Sequence, residues 1–187
     1  AKDPTTARTM IAPVEKAIHE RLGEYVWGYD DDTPEQAAGK SLMERGLSVA
    51  VMEMCTGGAL ANSITDNPNS VSYFKGGNVA YDGAALRSCG VPGEVMEKHG
   101  VVSQETANAM AETVRRQLNA DVGIAVTGVP GPGEFEGKPL GLAYICISNG
   151  EKIREMEMRL PPRRVTIKRR VPNQALIELR RLVEETG

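Results

Sequence analysis

Leu47–Gly58 reads L-S-V-A-V-M-E-M-C-T-G-G, an apolar run that closes on Glu53 and passes at once into a Cys-Thr-Gly-Gly turn. A short apolar run bounded by small residues reads as a buried strand, here Leu47–Glu53. A helix is predicted to open at Thr56 or Gly57 and to run to about Thr65. A strand that feeds a helix through glycines is the unit of α/β folds, and it leaves small residues where backbone can approach a ligand. Met54 stands at the tip of the turn, where a reactive side chain is expected if the junction does chemistry.

The pattern recurs downstream. Val122–Thr127 reads as a second buried strand, and Thr127-Gly128-Val129-Pro130-Gly131-Pro132-Gly133 as a second glycine-rich junction at its carboxyl end. Between the two, the spacing predicts a strand over Gly77–Tyr81, a short helix over Ala84–Cys89 and a longer one over Ser103–Leu118 with Ser103 as its cap. Leu140–Ser148 and Lys152–Leu160 alternate around Asn149-Gly150 and read as an antiparallel hairpin. Arg163–Glu185 is helical by period, with Pro172 expected to break or kink it.

Upstream, Met10, Ile11, Val14, Ile18 and Leu22 share one stripe of a helix that Gly23 stops. Glu24–Gly28 reads as a short strand-like piece, and Asp30–Asp32 as a solvated acidic turn. Thr33-Pro34-Glu35-Gln36 has capping-box spacing and opens a helix to about Arg45. The expected fold is therefore α/β: a mixed β-sheet flanked by helices over residues 47–187, preceded by a helical appendage over residues 1–46.

Composition narrows the function classes. A chain of 187 residues has room for one domain with its own core plus an appendage. A net charge of −3 does not point to nucleic acid or an anionic membrane, and 4% aromatic residues argue against a base-stacking platform. No apolar run approaches the roughly 20 residues that span a bilayer. The opening A-K-D-P-T-T-A-R is neither a secretory leader nor an initiator sequence, which fits a processed chain or a domain of a longer one. Cys55, Cys89 and Cys146 are too dispersed for a disulfide framework or a metal clip, so a cytoplasmic location is expected. No cluster has metal-ligand spacing; neither a metal nor a cofactor is expected. His19 reads as a surface residue and His99 as a cap at a helix C-terminus.

Neither glycine-rich junction matches the dinucleotide-binding or P-loop patterns. The first does offer helix N-terminal amides to a phosphate or carboxylate. Five stretches then follow in order: E-x-C-T-G-G at Glu53–Gly58, T-D-x-P-x-S-x-x-Y-F-x-G-G-x-V-x-Y at Thr65–Tyr81, H-G-x-V-S at His99–Ser103, A-D-x-G-I-A-V-T-G-x-x-G-P-G at Ala120–Gly133 and K-P-x-G-L at Lys138–Leu142. Together they resemble the C-terminal domain of the competence/damage-inducible CinA family. Residues 7–46 resemble the connecting region of its long-form members, whose N-terminal molybdopterin-binding-like domain is not in this sequence.

That resemblance implies nicotinamide mononucleotide deamidation, which yields nicotinic acid mononucleotide and ammonia. It implies a serine nucleophile inside E-S-C-T-G-G, assisted by a tyrosine and a lysine. By position the tyrosine is Tyr81, but the serine is Met54 and the lysine is Leu86, with Arg87 beside it. A thioether forms no acyl intermediate and Leu86 accepts no proton. Cys55 reads as structural and Thr56 as a helix cap or phosphate ligand. Arg164 matches the arginine of the family's G-D-R, while the basic run from Arg163 to Arg170 is otherwise a solvated helix face or a phosphate patch. The expectation is a domain that has lost serine-amidase chemistry. Thr56, Gly57, Gly58, Thr127, Gly128 and Arg164 would keep a pocket for a pyridine mononucleotide-like ligand, in a chain that forms a homo-oligomer. The alternative is an active amidohydrolase with a reassigned nucleophile.

Overall fold

The computed structural model describes residues 2–186. Two compact units emerge, dividing between Thr33 and Pro34. In the first, α1 (Pro4–Leu22) is capped by Asp3, whose carboxylate accepts from Thr6 N, and none of its residues is buried. The predicted strand at Glu24–Gly28 does not form: Gly23–Tyr25 is a 3-10 turn and the following residues are irregular.

The second unit is built around β1 (Val49–Glu53), buried along its whole length as its apolar run predicts. β1 pairs in parallel with β2 (Phe74–Val79) on one side and β3 (Val122–Gly128) on the other. β3 continues antiparallel to β4 (Leu142–Ser148), and β4 to β5 (Ile153–Arg159). The sheet order is β2-β1-β3-β4-β5, mixed as expected. The β4–β5 hairpin turns through Asn149, whose Oδ1 accepts from Glu151 N and Lys152 N. β2 begins earlier than Gly77 because the glycines belong to the strand rather than to a turn before it. A Cβ on Gly77 would come within 2.5 Å of the Val51 carbonyl oxygen, so only glycine lets β2 lie this close to β1.

Alternate residues of the central strands feed two cores. Val49, Val51, Ile124, Val126, Ile145 and Ile147 pack under α2 (Pro34–Arg45), α3 (Ala59–Thr65) and α7 (Arg164–Glu184). Ala50, Met52, Ala125 and Cys146 face α4 (Gly83–Ser88), α5 (Gly93–His99) and α6 (Gln104–Gln117). The boundary expected at residues 46 and 47 differs from the observed division. Ala38 and Leu42 of α2 belong to the first core, which places α2 with the sheet. Pro172 does not break α7: the helix runs through it, and the ring is buried where a donor is dispensable but packing is not. Among the described residues no helix is long and apolar enough to cross a membrane.

Candidate functional site

Glu53 decides the first junction. Its side chain is fully buried at the end of β1, and its carboxylate accepts four hydrogen bonds: Oε2 from Thr56 Oγ1 (2.5 Å), Gly58 N (3.0 Å) and Leu60 N (3.0 Å), and Oε1 from Ala61 N (2.7 Å). A buried carboxylate is tolerable only when its lone pairs are satisfied, and the open end of α3 satisfies them. The sequence anticipates an anion at this helix N-terminus; the anion is the chain's own. Gly57 and Gly58 adopt φ of +59° and +93° in the turn, so α3 begins at Ala59 rather than at Thr56 or Gly57.

The expected ligand-binding roles therefore divide. Thr56 is fully buried and its hydroxyl is donated to Glu53, and the Gly58 amide goes to the same carboxylate. Gly57 N donates to Met54 O, which folds the turn back on itself. Thr127 is also fully buried, its hydroxyl donating to Val101 O at 2.9 Å and lying 3.1 Å from Met54 Sδ. Neither threonine faces solvent. Among the described residues the amides of Cys55 and Thr56 have no backbone acceptor, and these follow the tip residue of the turn. An amide just after the tip of a strand–turn–helix is where such junctions stabilise an oxyanion.

Three carboxyl strand ends converge beyond this turn. β1 delivers Met54 and Cys55, β2 leads through Ala80 to Tyr81, and β3 delivers the second glycine-rich loop. Met54, Cys55, Tyr81 and Gly128–Phe135 line a cleft of about 220 Å³. Tyr81 and Phe135 are exposed aromatics among the residues that line it. Sequence reading missed Phe135, since nothing in its spacing ties it to Tyr81. From α7, Arg164 reaches across: Nη1 donates to Gly131 O at 2.9 Å, and Nη2 to the Tyr81 hydroxyl. Arg164 thus meets Tyr81 and the second loop, whose Gly128 lines the same cleft as Tyr81.

The second loop is held from behind. Glu136 accepts from Val101 N and Val102 N, each at 3.1 Å, and Lys138 Nζ donates to His99 O and Val102 O. Lys138 of K-P-x-G-L therefore clamps the H-G-x-V-S segment, which explains why both stretches accompany the site without entering it. His99 Nδ1 lies 3.2 Å from Glu105 Oε1, away from the cleft.

Leu86, at the lysine position, is fully buried in α4 and shares one apolar cluster with Met54. Arg87 beside it pairs with Glu97 at 3.1 Å and does not enter the cleft. Burial pushes the Cys55 thiol up to about 12, so at neutral pH it stays protonated. Among the described residues no cluster of His, Cys, Asp and Glu is placed to hold a metal ion.

The comparisons with known proteins agree with this fold. The CinA C-terminal domain family model matches residues 31–183. A competence-damage inducible protein of Desulforudis audaxviator is 39% identical over 178 residues, which are 94% of this chain and 43% of that protein. A CinA-like protein of Acaryochloris marina is 40% identical over 185 residues, 97% of this chain and 44% of its own length. The chain thus spans less than half the length of these relatives. Among solved structures, the competence/damage inducible protein CihA of Agrobacterium tumefaciens superposes with a TM-score of 0.73 at 28% identity, covering 84% of this chain and 99% of its own. A CinA superfamily protein of Klebsiella pneumoniae reaches 0.78 at 23% identity, covering 81% and 96%. With the family model covering residues 31–183 and relatives 39–40% identical over nearly all of it, the chain belongs to the CinA C-terminal domain family.

Proposed function

We propose that this chain binds a pyridine mononucleotide-like ligand in the Tyr81–Phe135 cleft and does not hydrolyse it. The observation that carries the reading is that Met54 and Leu86 are both buried in the same apolar cluster. Where the family resemblance implies a hydroxyl and an amine, this chain has two buried apolar side chains of one cluster. Replacing both partners of a polar pair is far better tolerated than removing one, since neither is left buried and unsatisfied. The cleft beside that cluster is lined by Tyr81 and Phe135, and Arg164 bonds Tyr81 and Gly131 of its lining.

Against a reassigned nucleophile stand the two nearest candidates. The Cys55 thiol is buried and raised to about 12, and the Thr56 hydroxyl is spent on Glu53. Assembly as a homo-oligomer and a cytoplasmic location belong to the same proposal, the first from the family resemblance and the second from three free cysteines. The test is to incubate the chain with nicotinamide mononucleotide, measuring ammonia release and thermal stabilisation together. Stabilisation without ammonia is expected; sustained ammonia release overturns the reading. Met54→Ser combined with Leu86→Lys is the complementary arm, expected to release ammonia where the parent chain releases none.

A further inference from the structure

Lys168 lies one helical turn beyond Arg164 on α7, so the two cations share a face of the helix. A Cβ placed on Gly57 would lie 3.5 Å from Lys168 Nζ and 3.7 Å from Tyr81 Cε2. Because Gly57 carries none, the ammonium and the phenol ring border one bare stretch of backbone at the first junction. Arg164 is engaged with Tyr81 and Gly131. Lys168 is half-buried, and among the described residues it has neither a hydrogen bond nor an ion pair. The carboxylate of the junction, Glu53, is fully buried and committed to α3, so it is not the counter-ion. The carboxylate in the cleft lining is Glu134, exposed on the second loop.

We propose that Lys168 anchors the phosphate of the bound ligand and selects phosphorylated over unphosphorylated nucleosides. The proposal rests on the binding reading above and assigns the charge within it. Arg164 is held as a fork against Tyr81 and the second loop, where it orients. Lys168 is a free point charge that a phosphate dianion satisfies.

The experiment is an amide NMR titration of the parent chain, Lys168→Met and Lys168→Arg with inorganic phosphate. Calorimetry then compares nicotinamide mononucleotide with nicotinamide riboside. Phosphate is expected to shift the Gly57 and Tyr81 amides in the parent chain and in Lys168→Arg. It should bind Lys168→Met roughly tenfold or more weakly, as expected for loss of a charge-assisted contact. The mononucleotide should lose its preference over the riboside in Lys168→Met alone. If Lys168→Met does not keep the parent's spectrum, Lys168→Gln takes its place. Unchanged phosphate shifts in the charge-removed variant, or none in the parent chain, overturn the anchor. Mononucleotide binding that survives Lys168→Met unaltered also overturns it and leaves the pocket reading standing. Phosphate binding that the mononucleotide does not improve on keeps the anchor and overturns the pocket reading.

Discussion

The two glycine-rich junctions follow neighbouring parallel strands, yet they end in opposite states. After β1, the α3 end of the turn is sealed: Glu53 turns inward and takes the Thr56 hydroxyl and the amides of Gly58, Leu60 and Ala61, leaving the backbone amides from Cys55 to Gly57 uncommitted to it. After β3, the loop stands open, its backbone and aromatic facing the cleft while Glu136 and Lys138 fasten its base to the 99–103 segment. Glycine content and position at a strand end are shared. What differs is whether a carboxylate points back into the turn or forward into a brace. A glycine-rich strand end thus marks freedom of the backbone, and the direction of the nearest carboxylate decides whether that freedom serves the fold or a ligand.

The largest expected effect breaks the sealed side. Glu53→Ala leaves the α3 amides without their acceptor in a buried place, and should lower stability by about 3–4 kcal/mol in urea unfolding. Glu53→Gln keeps one acceptor oxygen and should lose roughly half as much. A loss below about 1 kcal/mol for the alanine variant would mean that water replaces Glu53 and that the junction is not sealed. The open side should respond differently. Glu136→Ala is expected to cost about 1–2 kcal/mol and to speed hydrogen exchange at Val101 and Val102 more than at Leu60 and Ala61. Equal acceleration at both junctions would erase the contrast.

Much of the fold is legible in the sequence, and the reasons are local. β1 and β3 announce themselves as apolar runs because both faces are buried, and Asn149-Gly150 marks the hairpin because the turn needs those residues. Tyr81 and Arg164 are found through their motifs, and the structure joins them by a hydrogen bond. What is not legible depends on distant contacts. Glu53 reads as the last residue of a strand, and only folding shows its carboxylate turned onto α3. Phe135 and Lys168 reach the site from a loop and a helix far apart in sequence, and Lys168 reads as one more charge on a basic face. Its spacing from Arg164 was the available signal. Pro172 misleads in the other direction, because burial of its ring in the core overrides its local preference.

The far end of the same strands gives the smallest effect and serves as a control. There Asp121 accepts from the hydroxyl and amide of Ser48, tying the start of β1 to that of β3. The Ser48 hydroxyl, opposed by some burial, holds the Asp121 carboxyl below its usual value of 3.8. A lowered folded-state value means the stabilisation is fully present above the ordinary carboxylate range and is lost as pH falls through the lower folded value. Asp121→Asn should therefore flatten only the acid limb of the stability–pH curve. The change should stay under about 1 kcal/mol, because Asp121 is exposed. A change confined to neutral pH would contradict that assignment. Neither junction should be affected.

The most direct test of the account is a proton NMR time course of nicotinamide mononucleotide in the presence of the chain, which reads binding and turnover in the same spectra. Broadened nicotinamide ring signals, with no nicotinic acid mononucleotide signals growing in, are the predicted result. Steady growth of the acid's signals, abolished by Tyr81→Phe but present with Met54 in place, would contradict it.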